Sequence, residues 1–224
     1  MLTHAAWAGV PSLRHGFLDR AECTAATWGE AVASVGVPLP IAIPRQVHGT
    51  RVVTAEPHME APEADGLVTA RTGFLVGVLT ADCAPVLLVD RRRRVAAAVH
   101  AGWRGTAAGV LEAAVAHLGA AFGAPPDDLE AVIGPAIAGC CYHVGPEVRE
   151  AFRARTGSTT APAWSTRDGR LHLDLRVAAR LLLSAMRVAT PEVAGPCTAC
   201  APGYHSYRRD GARTGRQLSF VGWA

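Results

Sequence analysis

The sequence has no lysine and no asparagine, so all 22 of its basic side chains are arginine. Such usage is the mark of GC-rich coding more than of a polyanion partner. A nucleic-acid binder gathers basic residues on one face, and only Arg91 to Arg94 cluster here. That run reads as a solvated turn, and with a net charge of only +3 no nucleic-acid partner is expected. No window reaches the ~18 uninterrupted apolar residues of a membrane helix, so no membrane partner is expected either. The N-terminal MLTHAAWAGVPSLRHGFL lacks a basic segment followed by a long apolar one, which argues against a secretory signal. Six cysteines, unevenly placed, are too few for a disulfide scaffold. A reducing, cytoplasmic setting is the expectation. Nine histidines include no His-x-His pair, which removes the usual ligand pattern of a trinuclear copper centre.

What is present is a chain of 224 residues, half of them apolar, enough to bury a substantial core as one domain over residues 1–224. The patterns predict an edge strand near Arg14 to Phe17 and a helix from about Ala25 to Val35, stopped by Gly36 and Pro38. Two β-rich pieces follow around Gln46-Val47-His48-Gly49. Glu56 to Ala64 reads as a surface loop, and strands are expected from Ala64, over Phe74 to Thr80, over Ala84 to Asp90 and over Val95 to Ala101. Thr106 to Phe122 has a helical period with Gly123 as its stop. Leu129 to Ile133 reads as a strand, Pro146 to Arg155 as a helix, Thr156 to Gly169 as a loop, Leu171 to Leu175 as a strand and Leu175 to Met186 as a helix. The tail is rich in turns and ends in a β-like LSFV. Strands and helices mix throughout, giving an α/β fold with layered mixed sheets flanked by helices.

The chemistry concentrates in TADCAPVLLVDRRRRVAAAVHAGWRGTAAG, Thr80 to Gly109. Its two strands, joined by the arginine turn, bring Cys83 and His100 side by side. A thiol and an imidazole so placed can share a metal or form a nucleophile–base dyad, and the pattern alone leaves both open. His48 is a third candidate at a strand end; with Cys83 and His100 it supplies the three ligands of a catalytic zinc, although no local ligand pair marks them. Gly102-Trp103-Arg104-Gly105-Thr106 offers either an anion seat at a helix start or a tight turn with Thr106 as N-cap. Asp65 stands where it can cap or catalyse. Cys140, Cys141, Cys197 and Cys200 read as buried structural thiols, with a second zinc as the alternative. Tyr207 to Asp210 and Arg216 suit an anionic pocket or surface ion pairs equally.

Several blocks in order carry a resemblance. QVHG at His48, ADGLVT from Ala64, TADCAPVLL at Cys83, AAVHAGWRGTAAGV at His100, IGPAIAGCCYHVGPEV from Ile133, HLDL from His172 and SYRRDGARTGR from Ser206 resemble the laccase-domain, YfiH-type proteins. That family was long named for multicopper polyphenol oxidation and later described as zinc-dependent purine nucleoside phosphorylases. The resemblance runs from about Pro44 to Val221 and implies a CNF/YfiH-like α/β fold, shared distantly with a toxin-type cysteine deamidase. It implies a zinc on His48, Cys83 and His100, phosphorolysis of adenosine, inosine, guanosine and methylthioadenosine, and deamination of adenosine. The expected catalytic carboxylates are Asp82 and Asp65, and the expected substrate contacts are Arg45, Gln46, Arg104, Tyr142 and Arg208. Partners would be a purine nucleoside and phosphate, with the protein acting as a monomer. Two other readings remain: a copper-dependent polyphenol oxidase, and a metal-free thiol hydrolase or amidase using Cys83 and His100.

Overall fold

The computed structural model describes all 224 residues. In chain order the strands are β1 (Leu13–Phe17), β2 (Ile41–Ala42), β3 (Val52–Thr54), β4 (Gly66–Thr69), β5 (Phe74–Thr80), β6 (Ala84–Asp90), β7 (Val95–Ala101), β8 (Glu130–Ile133), β9 (Trp164–Arg167), β10 (Arg170–Leu173), β11 (Ala189–Val193) and β12 (Gln217–Trp223). The helices are α1 (Ala5–Ala8), α2 (Trp28–Ser34), α3 (Trp103–Ala108), α4 (Val110–Phe122), α5 (Pro146–Thr156), α6 (Leu175–Ala185) and α7 (Tyr207–Asp210).

Two mixed sheets carry the fold. One runs β1-β12-β5-β2 and the other β11-β8-β6-β7-β4-β3, with β9 and β10 forming a separate hairpin. The period-2 alternation of β6 and β7 explains why the sheets stack. Leu87, Val89, Ala96 and Ala98 point into a core between the sheets with Trp7, Phe17, Val76 and Val221. Their neighbours Val86, Leu88, Ala97 and Val99 point the other way, onto Leu111, Leu118, Ala178 and Leu182 of α4 and α6. Beyond the smaller sheet, Ala31 and Val32 of α2 close onto Leu75 and Phe220. The result is helix, sheet, sheet, helices, with β6 and β7 buried on both faces.

Local rules set most boundaries. Thr27 and Glu30 form a reciprocal capping box that starts α2, and the Asp174 side chain caps α6 through the amides of Arg176 and Val177. Residues 91–94 make the turn between β6 and β7, with Arg93 on Asp90 and Asp128 and Arg91 on Glu130.

Four features differ from the sequence-based expectation. The helix expected over Thr106 to Phe122 is two helices, broken at Gly109, whose φ of +105° no helical residue adopts. Thr106 is therefore not an N-cap; it lies buried inside α3, whose cap is Gly102. The expected loop Thr156 to Gly169 contains β9, which pairs with β10 around Asp168-Gly169, both at positive φ. Strand β11 was not anticipated, because Pro191 interrupts its pattern; it pairs in parallel at the edge of the larger sheet, where a missing N–H is tolerated.

Candidate metal centre and its pocket

Antiparallel pairing sets Pro85 opposite His100 and Ala84 opposite Ala101, so Cys83 and His100 emerge together at one end of the β6–β7 pair. His48 reaches them from the loop between β2 and β3. Its ring meets that of His100 edge to face, centroids 4.8 Å apart, and its Nε2 lies 3.9 Å from Cys83 Sγ. The three ligand atoms all fall within 4.8 Å of one another. A tetrahedral zinc with Zn–N of ~2.0–2.1 Å and Zn–S of ~2.3 Å would separate a nitrogen and a sulfur by about 3.6 Å, so the spacing is close to what such an ion requires.

Asp65 organises this cluster from behind. Its buried carboxylate accepts the His48 N–H at 2.9 Å, the Gly49 N–H at 2.7 Å and the Val47 N–H at 3.3 Å. The same group bonds His100 Nδ1 at 2.8 Å, which leaves His100 Nε2 to face the cluster. With three amides turned onto one carboxylate, His48 sits in the left-handed region at φ +61°, uncommon for residues other than glycine though less so for histidine. Asp65, expected as a catalytic carboxylate, lies enclosed behind His100 with its oxygens engaged by that ring and by the amides of residues 47–49.

Gly102 is the clearest sign that space is reserved. A Cβ there would sit 3.0 Å from His48 Cδ2, 3.1 Å from Cys83 Sγ and 3.6 Å from His100 Cε1, in the middle of the three ligands. At Gly105 a Cβ would come 2.8 Å from the Gly49 carbonyl, so the close seat of α3 on the His48 loop also depends on a glycine.

Electrostatics pair a thiolate at Cys83 with a protonated imidazole at His100. Burial would push the Cys83 thiol up, but hydrogen bonds to His100 and His48 outweigh it and bring the thiol down to about 6. Burial would lower His100, yet its bonds to Asp65 and Cys83 carry it up to about 9. Asp65 stays below the usual carboxylate range despite its own burial, held there by His100 and the loop amides. Cys83 is thus a ready thiolate, the form that binds metal.

A cleft of about 380 Å³ opens in front of the cluster. Its wall combines Trp103, Tyr142 and Tyr207 with Arg104, Arg208 and Arg216, and Asp82 is its only carboxylate. A smaller, adjoining recess of about 250 Å³ shares His48, Ala81, Cys83 and Arg216 with it and adds Gln46, Thr80 and His100. Asp82 is pinned by the Thr198 hydroxyl at 2.6 Å and the Arg208 N–H at 2.7 Å. The Arg208 guanidinium lies 5.1 Å from the Tyr142 ring and bonds His143. Arg104 stacks at 4.4 Å on Trp103 and makes no ion pair. Burial, aided by the charge at Cys83, lifts the Tyr142 phenol to about 12, so it stays a hydroxyl donor.

Arg104, Tyr142, Arg208 and Asp82 thus line one cleft, whereas two expected substrate contacts do not. Arg45 points to the surface, where its guanidinium pairs with Glu63 at 2.6 Å. Gln46 borders the recess, but its amide bonds both N–H and C=O of Leu79 at 2.8 Å, fastening the loop to β5. Trp103, from the turn weighed as an anion seat, also lines the cleft, and so do Ile137 and Leu175, which were not anticipated.

The sequence matches the family described as multi-copper polyphenol oxidoreductase laccase over residues 12–224. The chain belongs to this family. Among its relatives, a purine nucleoside phosphorylase of Deinococcus radiodurans is 41% identical, over 79% of this chain and 68% of that one. An adenosine deaminase named RL5, from an unknown prokaryotic organism, is 35% identical over 81% of this chain and 74% of its own. The crystal structure of Bacillus licheniformis YfiH superposes with a TM-score of 0.84 at 26% identity, covering 95% of this chain and 93% of that one. The laccase-domain chain nevertheless lacks the ligands of a multicopper centre: its two groupings of three or more metal-binding side chains are His48-Cys83-His100 and a cluster of four cysteines, and neither assembles three histidines.

Proposed function

We propose that this protein is a zinc-dependent purine nucleoside phosphorylase, acting on adenosine, inosine, guanosine and methylthioadenosine, with adenosine deaminase activity at the same site. The observation that carries the reading is the cluster of His48, Cys83 and His100, two of which, His48 and Cys83, line a cleft walled by three aromatic rings and three arginines. Rings of that kind stack a purine, and arginines bind phosphate through paired N–H donors. The volume suits a ligand of nucleoside size.

His48, Cys83 and His100 would hold the zinc, with Gly102 keeping room for it and Asp65 fixing the tautomer of His100. A bound zinc supplies a Lewis acid beside the cleft. In phosphorolysis, Arg104 and the first turn of α3 hold phosphate against the ribose anomeric carbon; the new C–O bond forms as the glycosidic C–N bond breaks, and the base leaves with the electron pair. Arginine charge and fixed amides stabilise that separation because they need no rearrangement. Tyr142 offers its hydroxyl proton to a substrate acceptor. Asp82, the carboxylate facing the cleft, carries protons in the deamination.

The test is Arg104→Ala assayed in both reactions. Phosphate-dependent release of base should fall about 10- to 100-fold, mostly through the KM for phosphate, with deamination much less affected; equal losses in both reactions would remove the phosphate seat.

One arrangement favours a second reading. Asp65, His100 and Cys83 are aligned as an orienting carboxylate, an imidazole and a lowered thiol, the parts of a metal-free thiol hydrolase. Stoichiometric trapping of Cys83 by an amide substrate in zinc-stripped protein would establish that chemistry.

A further inference from the structure

The remaining pair of cysteine motifs meets on the other side of the cleft wall. Cys140 and Cys141 lie in the turn at residues 139–141, where the Cys141 N–H donates to the Ala138 carbonyl at 3.0 Å. Cys197 and Cys200 close a Cys-x-x-Cys turn through the Cys200 N–H and the Cys197 carbonyl at 3.1 Å. A bridge between Ala136 and Cys197 ties the two loops together. Cys200 Sγ consequently lies 3.2 Å from Cys141 Sγ and 3.5 Å from Cys140 Sγ, and all four sulfurs fall within 4.8 Å of one another.

These are not the buried structural thiols expected from sequence. Cys197 alone is buried, Cys141 is half-buried, and Cys140 and Cys200 are exposed. None is paired in a disulfide. The spacing suits a different bond: around a zinc with Zn–S of ~2.3 Å, tetrahedral geometry separates neighbouring sulfurs by about 3.8 Å. The surroundings suit it as well. Ile137, Ala138 and Ala199 pack about the sulfurs, and the Ala138 N–H donates to Cys197 Sγ at 3.3 Å, a contact that favours a thiolate. The two exposed sulfurs give an ion a route in.

We propose that Cys140, Cys141, Cys197 and Cys200 form a second metal site that binds zinc through four thiolates. Soft sulfur ligands in this number select zinc among the common divalent ions, and a set of four protein ligands leaves no position for substrate, so the site is structural. Its effect reaches the cleft through both loops. The first carries Ile137 and Tyr142 to the cleft wall, and the second carries Thr198, whose hydroxyl holds Asp82. Zinc at the cysteines therefore clamps together the two segments that set one side of the pocket.

The experiment is metal analysis by mass spectrometry on untagged wild-type protein, Cys83→Ala and Cys200→Ser, with cobalt substitution of Cys83→Ala. Because Cys83→Ala empties only the pocket site, the result is independent of the reading of that site. The expected outcome is one zinc per chain retained in Cys83→Ala, and a cobalt form with strong thiolate charge-transfer absorption and tetrahedral d–d bands. Cys200→Ser should lose one zinc relative to wild type; should that variant fail to fold, the cobalt spectrum of Cys83→Ala still decides. A Cys83→Ala protein without metal that takes up no cobalt would overturn the proposal, as would an intact mass showing a disulfide among these cysteines that reductant removes without gain of zinc affinity.

Discussion

Glycine 102 shows how one atom decides a site. Nothing in its backbone requires glycine, with φ at −72°; what a Cβ there would crowd is the space between His48, Cys83 and His100, where the proposed ion would sit. Gly102→Ala should therefore keep the fold and lower metal affinity about 10- to 100-fold, the range seen when groups around metal ligands are disturbed. Equilibrium dialysis with zinc, beside an unchanged far-UV circular dichroism spectrum, checks this; full affinity in the variant would mean that the gap is not a metal cradle. At this scale the sequence was informative about which side chains meet, because Cys83 and His100 stand at the ends of two apolar runs paired through the short arginine turn. It was poorly informative about Asp65. A carboxylate at a strand start can cap, catalyse or orient, and only the folded chain shows three amides from residues 47–49 turned onto it. Arg45 and Gln46 were hard to place for a related reason: nearness to His48 in the chain does not say which way a side chain leaves the backbone, and one lies at the surface while the other borders the smaller recess.

Among the elements, the break between α3 and α4 is the most consequential. Gly109 ends α3 in the left-handed region, and α4 begins at once, so α3 can seat on the His48 loop while α4 covers the sheet. A run of helix-forming residues on both sides hides that break from periodicity. Gly109→Ala would force an L-residue to φ near +105° and displace the Arg155 guanidinium that lies over it. The left-handed conformation alone costs ~1–2 kcal/mol. For a chain of this size that lowers Tm by about 2–4 °C per kcal/mol, readable by calorimetry, and an unchanged Tm would refute the strained junction. The β9–β10 hairpin was more legible than the expected loop allowed. Asp-Gly between two short β-capable runs is a strong hairpin signal, and here both turn residues have positive φ. No comparable signal announces β11, which exists because β8 offers it an edge.

Across the whole molecule, the amount of core was evident from composition, but its layering was not. The C-terminal β12 inserts between β1 and β5, joining residues from opposite ends of the chain, and no local pattern encodes a partner 200 residues away. That closure buries His15 beside Trp7, with its Nε2 accepting the His4 N–H at 2.9 Å. Burial, reinforced by His4, lowers His15 from 6.5 to about 4. Between those values the unfolded chain binds the proton and the folded chain does not, so stability rises with pH there. The contribution is complete above pH 6.5 and is lost as pH falls through about 4, with a span on the order of 3 kcal/mol. Urea unfolding of wild type and His15→Gln across that window should show a shallower pH slope in the variant. Parallel slopes would mean that His15 takes up its proton in the folded state.

The pocket zinc can be tested directly by following phosphate-dependent release of base from inosine while metal is removed and returned to wild-type protein and to Cys83→Ala. The account predicts that stripped wild type loses activity, that zinc restores it, and that Cys83→Ala stays at least 100-fold down with either treatment, since removing a metal ligand removes the site. Activity in Cys83→Ala near that of wild type, or recovery with copper accompanied by oxygen uptake on a phenol, would contradict it.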